Sequence, residues 1–205
     1  MFKIDAQYVY LLKDFVSKED SMDAIACISV EPADCGGAYV VALNGHCFAM
    51  FHDKDAEIDE AYVFKPSKAL FSACRRTKKT IGAIVEGNDQ KGRIKVMIGP
   101  SEIYVEPGNP FRAWQYPNWK NFVSLHKKAK PFPTCLPSDT FSRFNFPNNN
   151  GHRSLHIHTT GKESPVFVLN RAYPEFLGIF MPMLDPEDAA LTMPDWLPTF
   201  EEAQE

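Results

Sequence analysis

The same order of local signals occurs twice in the first half of this 205-residue chain, and that repetition limits the folds open to it. Asp5 suits a helix cap. Val9, Leu12 and Val16 recur at helical spacing, with Leu11 and Phe15 widening the stripe, which predicts a helix over residues 6–18. Extended segments follow at Asp23–Glu31, Ala38–Leu43 and His46–His52. The last two flank Asn44-Gly45, a dipeptide suited to a two-residue type I′ hairpin because both central positions need positive φ. The acidic stretch Asp53–Glu60 reads as a solvated loop, and Ala61–Phe64 as a short strand. Pro66 then opens a second helix, since its missing N–H is not needed in a first turn, and that helix runs to about Thr77. Strands follow at Ile81–Glu86, Arg93–Ile98 and Glu102–Glu106, with turns at Gly87–Gly92 and Gly99-Pro100. Residues 1–106 therefore read as helix and strands twice over, a repeat of about half a domain.

From Pro107 the character changes. Six prolines crowd Pro107–Pro137, and no acid follows Glu106 until Asp139, which predicts an extended connection. A smaller unit comes next: a short helix near Ser138–Phe144, then strands near Ser154–Thr159, Pro165–Asn170 and Phe176–Met183. The layout expected is a complete domain at 1–124, a Pro-rich basic connection at 125–137, a shortened second domain at 138–184 and an acidic tail at 185–205.

The net charge of -4 hides an uneven distribution. The last 21 residues hold seven acids and no Lys or Arg, so residues 1–184 carry 22 bases against 19 acids, a net of +3. Lys65–Lys79 contains six bases and no acid. At 100° per residue, Lys68, Ser72, Arg75 and Lys79 fall on one stripe with Lys65 and Arg76 beside it and Lys78 at the border. Ala69, Leu70, Ala73 and Cys74 fall opposite, a face that can dock on a sheet. Such a row of cations repels itself unless solvent screens it or a polyanion neutralises it. The second case gives salt-dependent binding without sequence preference. The first helix adds Lys13 and Lys18 to this surface but also Asp14, Glu19 and Asp20, so it contributes weakly. No Gly-rich phosphate loop and no aromatic ladder for single strands accompany the cations, which leaves a duplex backbone as the expected contact.

Other classes find little support. No apolar run reaches the roughly 20 residues of a membrane helix, and the N-terminus lacks the pattern of a signal peptide. Five widely spaced cysteines without C-x-x-C read as free thiols in a reducing cytoplasm. His156 and His158 share a strand face near His152, but without an acid or Cys at ligand spacing they predict no metal site. Asp53, Asp55, Glu57, Asp59 and Glu60 lack calcium-loop spacing. No nucleophile signature or carboxylate pair for catalysis appears, so no enzyme activity and no cofactor are expected.

Four landmarks carry a resemblance. Val41-Ala42-Leu43-Asn44-Gly45-His46-Cys47-Phe48-Ala49 resembles the V-A-T-D-G-H-R-L-A hairpin of bacterial sliding clamps, the β subunit of the replicative DNA polymerase. Phe64-Lys65-Pro66-Ser67-Lys68-Ala69-Leu70 is similar to that family's strand-to-helix entry, V-P-R-K-x-x-x-E-L. Tyr116-Pro117-Asn118-Trp119 resembles its F-P-D-Y, and Phe180-Met181-Pro182-Met183-Leu184 its V-M-P-M-R-L ending. The resemblance implies an α+β DNA-clamp (processivity) fold: helix–strands repeats, antiparallel sheets and helices on one face. It implies a role in DNA replication as a ring around duplex DNA, lined by Lys65, Lys68, Arg75, Arg76, Lys78, Lys79 and Lys13. It also implies an apolar pocket for short peptides of a DNA polymerase or other clamp-binding partner, formed by Leu43, Gly45, His46, Phe48, Met181, Pro182 and Met183. Cys47 stands where the family has arginine, and Leu43 where it has threonine, so this pocket is more apolar.

The family's chain has three domains and closes as a dimer. This chain has one full domain and a unit of 54 residues, Pro131–Leu184, against roughly 124 in the first. The expected assembly is a homo-oligomer, a trimer being the ring considered, and a small relative of this kind suggests a phage or prophage source. The competing reading is a module or decoy that binds replication proteins without encircling DNA. The tail segment Thr192–Phe200, with Trp196, Leu197 and Phe200, is a candidate to cover the pocket. Ordinary packing of that segment on the body is the alternative.

Overall fold

Phe2–Asp5 forms a strand, β1, where the sequence pattern predicts none: four residues are too few for alternation to register, although Phe2 and Ile4 are both fully buried. The computed structural model describes residues 1–17, 23–88, 92–107, 110–111, 116–120, 123, 138–144, 146, 155–159 and 164–182. Within these, α1 (Ala6–Leu11) follows β1, and α2 (Lys68–Ala73) follows β6 (Tyr62–Phe64). After α1 come β2 (Ile28–Pro32), β3 (Ala38–Leu43) and β4 (Cys47–Asp53), then the short β5 (Glu57–Ile58). After α2 come β7 (Ile84–Asn88), β8 (Arg93–Ile98) and β9 (Ser101–Pro107), then β10 (Pro110–Phe111) in the proline-rich stretch. The C-terminal elements are α3 (Ser138–Ser142), β11 (Leu155–Thr159), β12 (Val166–Asn170) and β13 (Tyr173–Phe180).

The repeat is thus strand, helix, three strands, twice. The two halves exchange their leading strands. β1 pairs with β7 of the second half, in a sheet ordered β5-β1-β7-β8-β9. β6 pairs with β2 of the first, in a sheet ordered β10-β6-β2-β3-β4-β13-β12-β11. Every pairing is antiparallel. The C-terminal strands do not form a sheet of their own: β13 pairs with β4 and completes one eight-stranded sheet.

That sheet is covered on both faces, which the alternation of β3 makes plain. Val40 and Ala42 belong to a large core that also holds Val9, Leu12 and Phe15 after β1, and Val85, Ile94 and Val96 of the five-stranded sheet. Val41 and Leu43 belong to a second cluster with Phe48, Tyr116, Trp119 and Ile179. A strand buried on both faces reads as a continuous apolar run, as Ala38–Leu43 does.

Both helices are shorter than their apolar stripes predict. Asp5 caps α1 by accepting from Gln7 N at 2.7 Å. The predicted residues Val9, Leu11, Leu12, Phe15 and Val16 are all buried, yet α geometry stops at Leu11 and a 3-10 turn, Leu12–Asp14, follows. Tertiary bonds divert the chain there: Ser17 N donates to Ile25 O at 2.9 Å, and Arg143 donates to the Asp14 carbonyl at 3.3 Å. Lys18, at the predicted end, lies outside the described residues. The segment from Asp23 to Ala26 is a 3-10 turn rather than strand.

α2 begins two residues later than predicted, at Lys68, because Ser67 is the cap and accepts from Leu70 N at 3.0 Å, which leaves Pro66 ahead of the helix. It ends at Ala73, not Thr77. The Thr80 hydroxyl bonds the Arg75 carbonyl at 2.6 Å and accepts from Thr77 N at 2.7 Å, folding 75–80 into a turn. Asp53 also departs from the solvated-loop expectation. It is 5% exposed and accepts from Asp5 N at 2.7 Å and Asp55 N at 3.2 Å, so it fastens the end of β4 to the start of α1.

Candidate functional site

The hairpin between β3 and β4 turns one residue later than Asn44-Gly45. Leu43 pairs with Phe48, and Asn44 N donates to Cys47 O at 3.1 Å, which places Gly45-His46 at the centre. Gly45 has φ 86, a value that L side chains rarely adopt. Asn44 does not sit in the turn's centre but organises it. Its Oδ1 accepts from His46 N at 3.1 Å and Cys47 N at 3.0 Å, the Asx-turn pattern.

β13 runs alongside this hairpin, with Ile179 opposite Phe48 and Phe180 opposite Cys47. The ladder continues one step past β13, where Met181 N donates to His46 O at 3.2 Å. Between the two segments lies an open cavity of about 70 Å³ with a mostly apolar wall. Five residues expected in the pocket line it: Leu43, Gly45, His46, Phe48 and Met181. Cys47, Ile179 and Phe180 line it too. Ile179 and Phe180 were missed because only the strand register brings them beside Phe48. Pro182 is half-buried beside the lining set, and Met183 lies outside the described residues.

The cavity has a rigid back. Trp119 stacks on Phe48 with centroids 5.9 Å apart and meets Tyr39 edge-on at 5.6 Å. Its Nε1 donates to Glu31 Oε1 at 2.7 Å, and Tyr116 OH donates to Val41 O at 3.3 Å. Burial holds the Tyr116 hydroxyl well above its ordinary pKa, so it stays a donor. The Tyr116–Trp119 landmark therefore serves the pocket from behind, as a support for Phe48. Met181, at 48% exposure, stands at the open side.

The predicted cationic face takes a different form. Lys68 is exposed on α2, but Arg75, Arg76, Lys78 and Lys79 are exposed on the turns that follow it, and Lys65 is half-buried in the link before it. The single helical stripe does not exist, because α2 has six residues, and Ala69, expected on the docking face, is exposed. Leu70 and Cys74 are buried as expected. No ion pair between described residues engages Lys68, Arg75, Arg76, Lys78 or Lys79. Arg76 Nη1 donates to Gln7 Oε1 at 2.7 Å, which ties this segment to α1. Lys13 sits in the 3-10 turn, 4.4 Å over the Tyr10 ring. His156 and His158 are exposed on β11; His152 lies outside the described residues, as do 125–137 and the tail from 183 onward. No group of three His, Cys, Asp or Glu that could hold a metal occurs among the described residues.

No family model matches the sequence, and no curated protein does. Solved structures do match. The β subunit of DNA polymerase from Streptococcus pyogenes superposes with TM-score 0.56 and 12% identity, over 89% of this chain and 64% of that one. The DNA polymerase III β chain of Streptococcus pneumoniae gives 0.59 and 11%, over 97% of this chain and 68% of that one. A sliding clamp from Bartonella birtlesii, solved bound to griselimycin, gives 0.58 and 11%, over 89% and 66%. This chain thus spans close to two thirds of their length, and the likeness is one of fold: two antiparallel sheets and short helices in the arrangement of the DNA polymerase III β subunits, the sliding clamps.

Proposed function

We propose that the chain is a sliding-clamp-like processivity factor for DNA replication, a binding protein without catalytic chemistry. The observation that carries this reading is the cavity where the β3–β4 hairpin meets the end of β13, in a clamp fold. An open apolar wall of Leu43, Phe48, Ile179 and Met181 suits the apolar anchors of a short polymerase or other partner peptide. Lys68, Arg75, Arg76, Lys78 and Lys79, joined by Lys65 and Lys13, are the proposed contacts to the backbone of duplex DNA. A homotrimeric ring is the assembly proposed to encircle the duplex.

Fluorescence anisotropy of a labelled duplex tests the DNA contact. Binding is expected to fall steeply with salt and to be lost in the triple variant Lys68→Glu, Arg75→Glu, Lys79→Glu. Equal binding by the variant overturns the assignment. The shortness of α2 favours a second reading, a module that binds replication proteins through the pocket without encircling DNA. That reading predicts peptide binding with no duplex binding at any salt concentration.

A further inference from the structure

A second cavity, of about 200 Å³, opens between the 3-10 turn after α1 and the end of α3. Its volume is far above the roughly 10–15 Å³ that one water requires. Two cations from distant parts of the chain border it, Lys13 and Arg143, together with Tyr10, Ser142 and Phe146. Asp14 also lines it, so two positive charges face one negative.

The fold positions both cations. Arg143 Nη1 donates to the Asp14 backbone carbonyl at 3.3 Å and approaches Cys47 Sγ at 3.6 Å. Those contacts use one nitrogen of a guanidinium that carries five N–H donors. Lys13 Nζ bonds the Tyr10 hydroxyl at 3.2 Å and lies over its ring. Neither cation forms an ion pair with a described carboxylate. An ammonium and a guanidinium at the edge of one polar cavity repel each other. An oxyanion between them removes that repulsion and accepts charge-assisted hydrogen bonds from both.

We propose that this cavity binds a phosphate group, with Lys13 and Arg143 as its direct partners. The group can come from a duplex backbone or from a free phosphate compound. In the first case the site rests on the DNA contact proposed above and extends it to α3; in the second it is independent of it.

The test uses the full chain, Lys13→Met and Arg143→Gln. Gln keeps an N–H donor for the Asp14 carbonyl, and Lys13→Met leaves the Arg143 contacts intact, so one variant remains informative if the other fails to fold. Calorimetry with pyrophosphate and ATP, and anisotropy with a labelled duplex, are run at low salt. A backbone site predicts that the duplex binds at least tenfold more weakly to each variant, with the salt slope reduced by about one. A free-phosphate site predicts that pyrophosphate or ATP binds the wild-type chain and is lost in each variant, with duplex binding unchanged. If both variants bind every probe as the wild type does, or if no probe binds the wild type, the proposal is wrong. If Lys68→Glu loses the duplex while Lys13→Met and Arg143→Gln retain it and no free phosphate binds, this site falls, Lys13 leaves the duplex contact, and the DNA contact through Lys68 and its neighbours stands.

Discussion

Met181 N donates to His46 O at 3.2 Å, joining the tip of one hairpin to a segment 135 positions further along the chain. The bond fixes the open side of the apolar cavity without using the Met181 side chain, which remains 48% exposed. Met181→Ala should therefore leave stability within about 0.5 kcal/mol of wild type. It should weaken a short peptide bearing Leu and a terminal Phe by about 1 kcal/mol or more, roughly fivefold or greater. Anisotropy with the labelled peptide and a urea titration separate the two effects. Unchanged peptide affinity would remove Met181 from the binding surface.

Gly178 on β13 lies against the rings of Phe144 and Phe176 in the large core. A Cβ there would stand 2.3 Å from Phe144 Cε1 and 2.9 Å from Phe176 Cζ. Phe144 also packs on Phe15 and Phe180, so it has little room to retreat. Gly178→Ala should cost about 1–3 kcal/mol by overpacking. Adding Phe144→Leu should recover part of that loss, and calorimetry of the single and double variants checks it.

The parts of the fold that were legible in the sequence are those with a continuous apolar run, two-residue alternation or a side-chain cap. β3 and β8 match their predicted bounds, and Asp5 caps the helix it was expected to cap. The end of α1 was not legible, because Ser17 is captured by Ile25 in the following turn and Asp14 by Arg143, 129 positions further along the chain. Pro66 and Ser67 both suit a helix start, and only the bond from Leu70 N decides between them. The hairpin signal was right in kind but off by one residue, since Asn44 acts through its side chain rather than its backbone. Of the pocket, the half in the hairpin and Met181 could be proposed from motifs. Ile179 and Phe180 required the register of β13 on β4.

Asp53 and Asp5 should give stability an unusual pH dependence. Burial raises both carboxyls above their ordinary 3.8, although the N–H groups of Asp5 and Asp55 pull Asp53, and that of Gln7 pulls Asp5, the other way. A carboxyl whose pKa is higher folded than unfolded binds more protons in the folded state. Its contribution is then greatest at acid pH and declines as pH rises from about 3.8 through the folded value. The stability of wild type minus that of Asp53→Asn should fall with rising pH across that window. Carbon-13 NMR should place the Asp53 midpoint above 3.8.

The thiols should differ sharply in reactivity. Cys27, Cys47 and Cys74 are buried, and burial pushes the Cys74 thiol up to about 12. Cys35 is exposed, with its Sγ 3.5 Å from His52 Nε2 and 3.9 Å from Tyr39 OH. Brief alkylation at pH 8 followed by peptide mass mapping should label Cys35 first among these four. Urea should release the other three.

The ring is the central claim, and the mass of the chain in solution tests it most directly. Light scattering on a size-exclusion column should give about 70 kDa, three times the 23.2 kDa of one chain, and hold that value on tenfold dilution. A constant mass near 23.2 kDa at working concentration would contradict encirclement and leave the pocket as an interaction module alone.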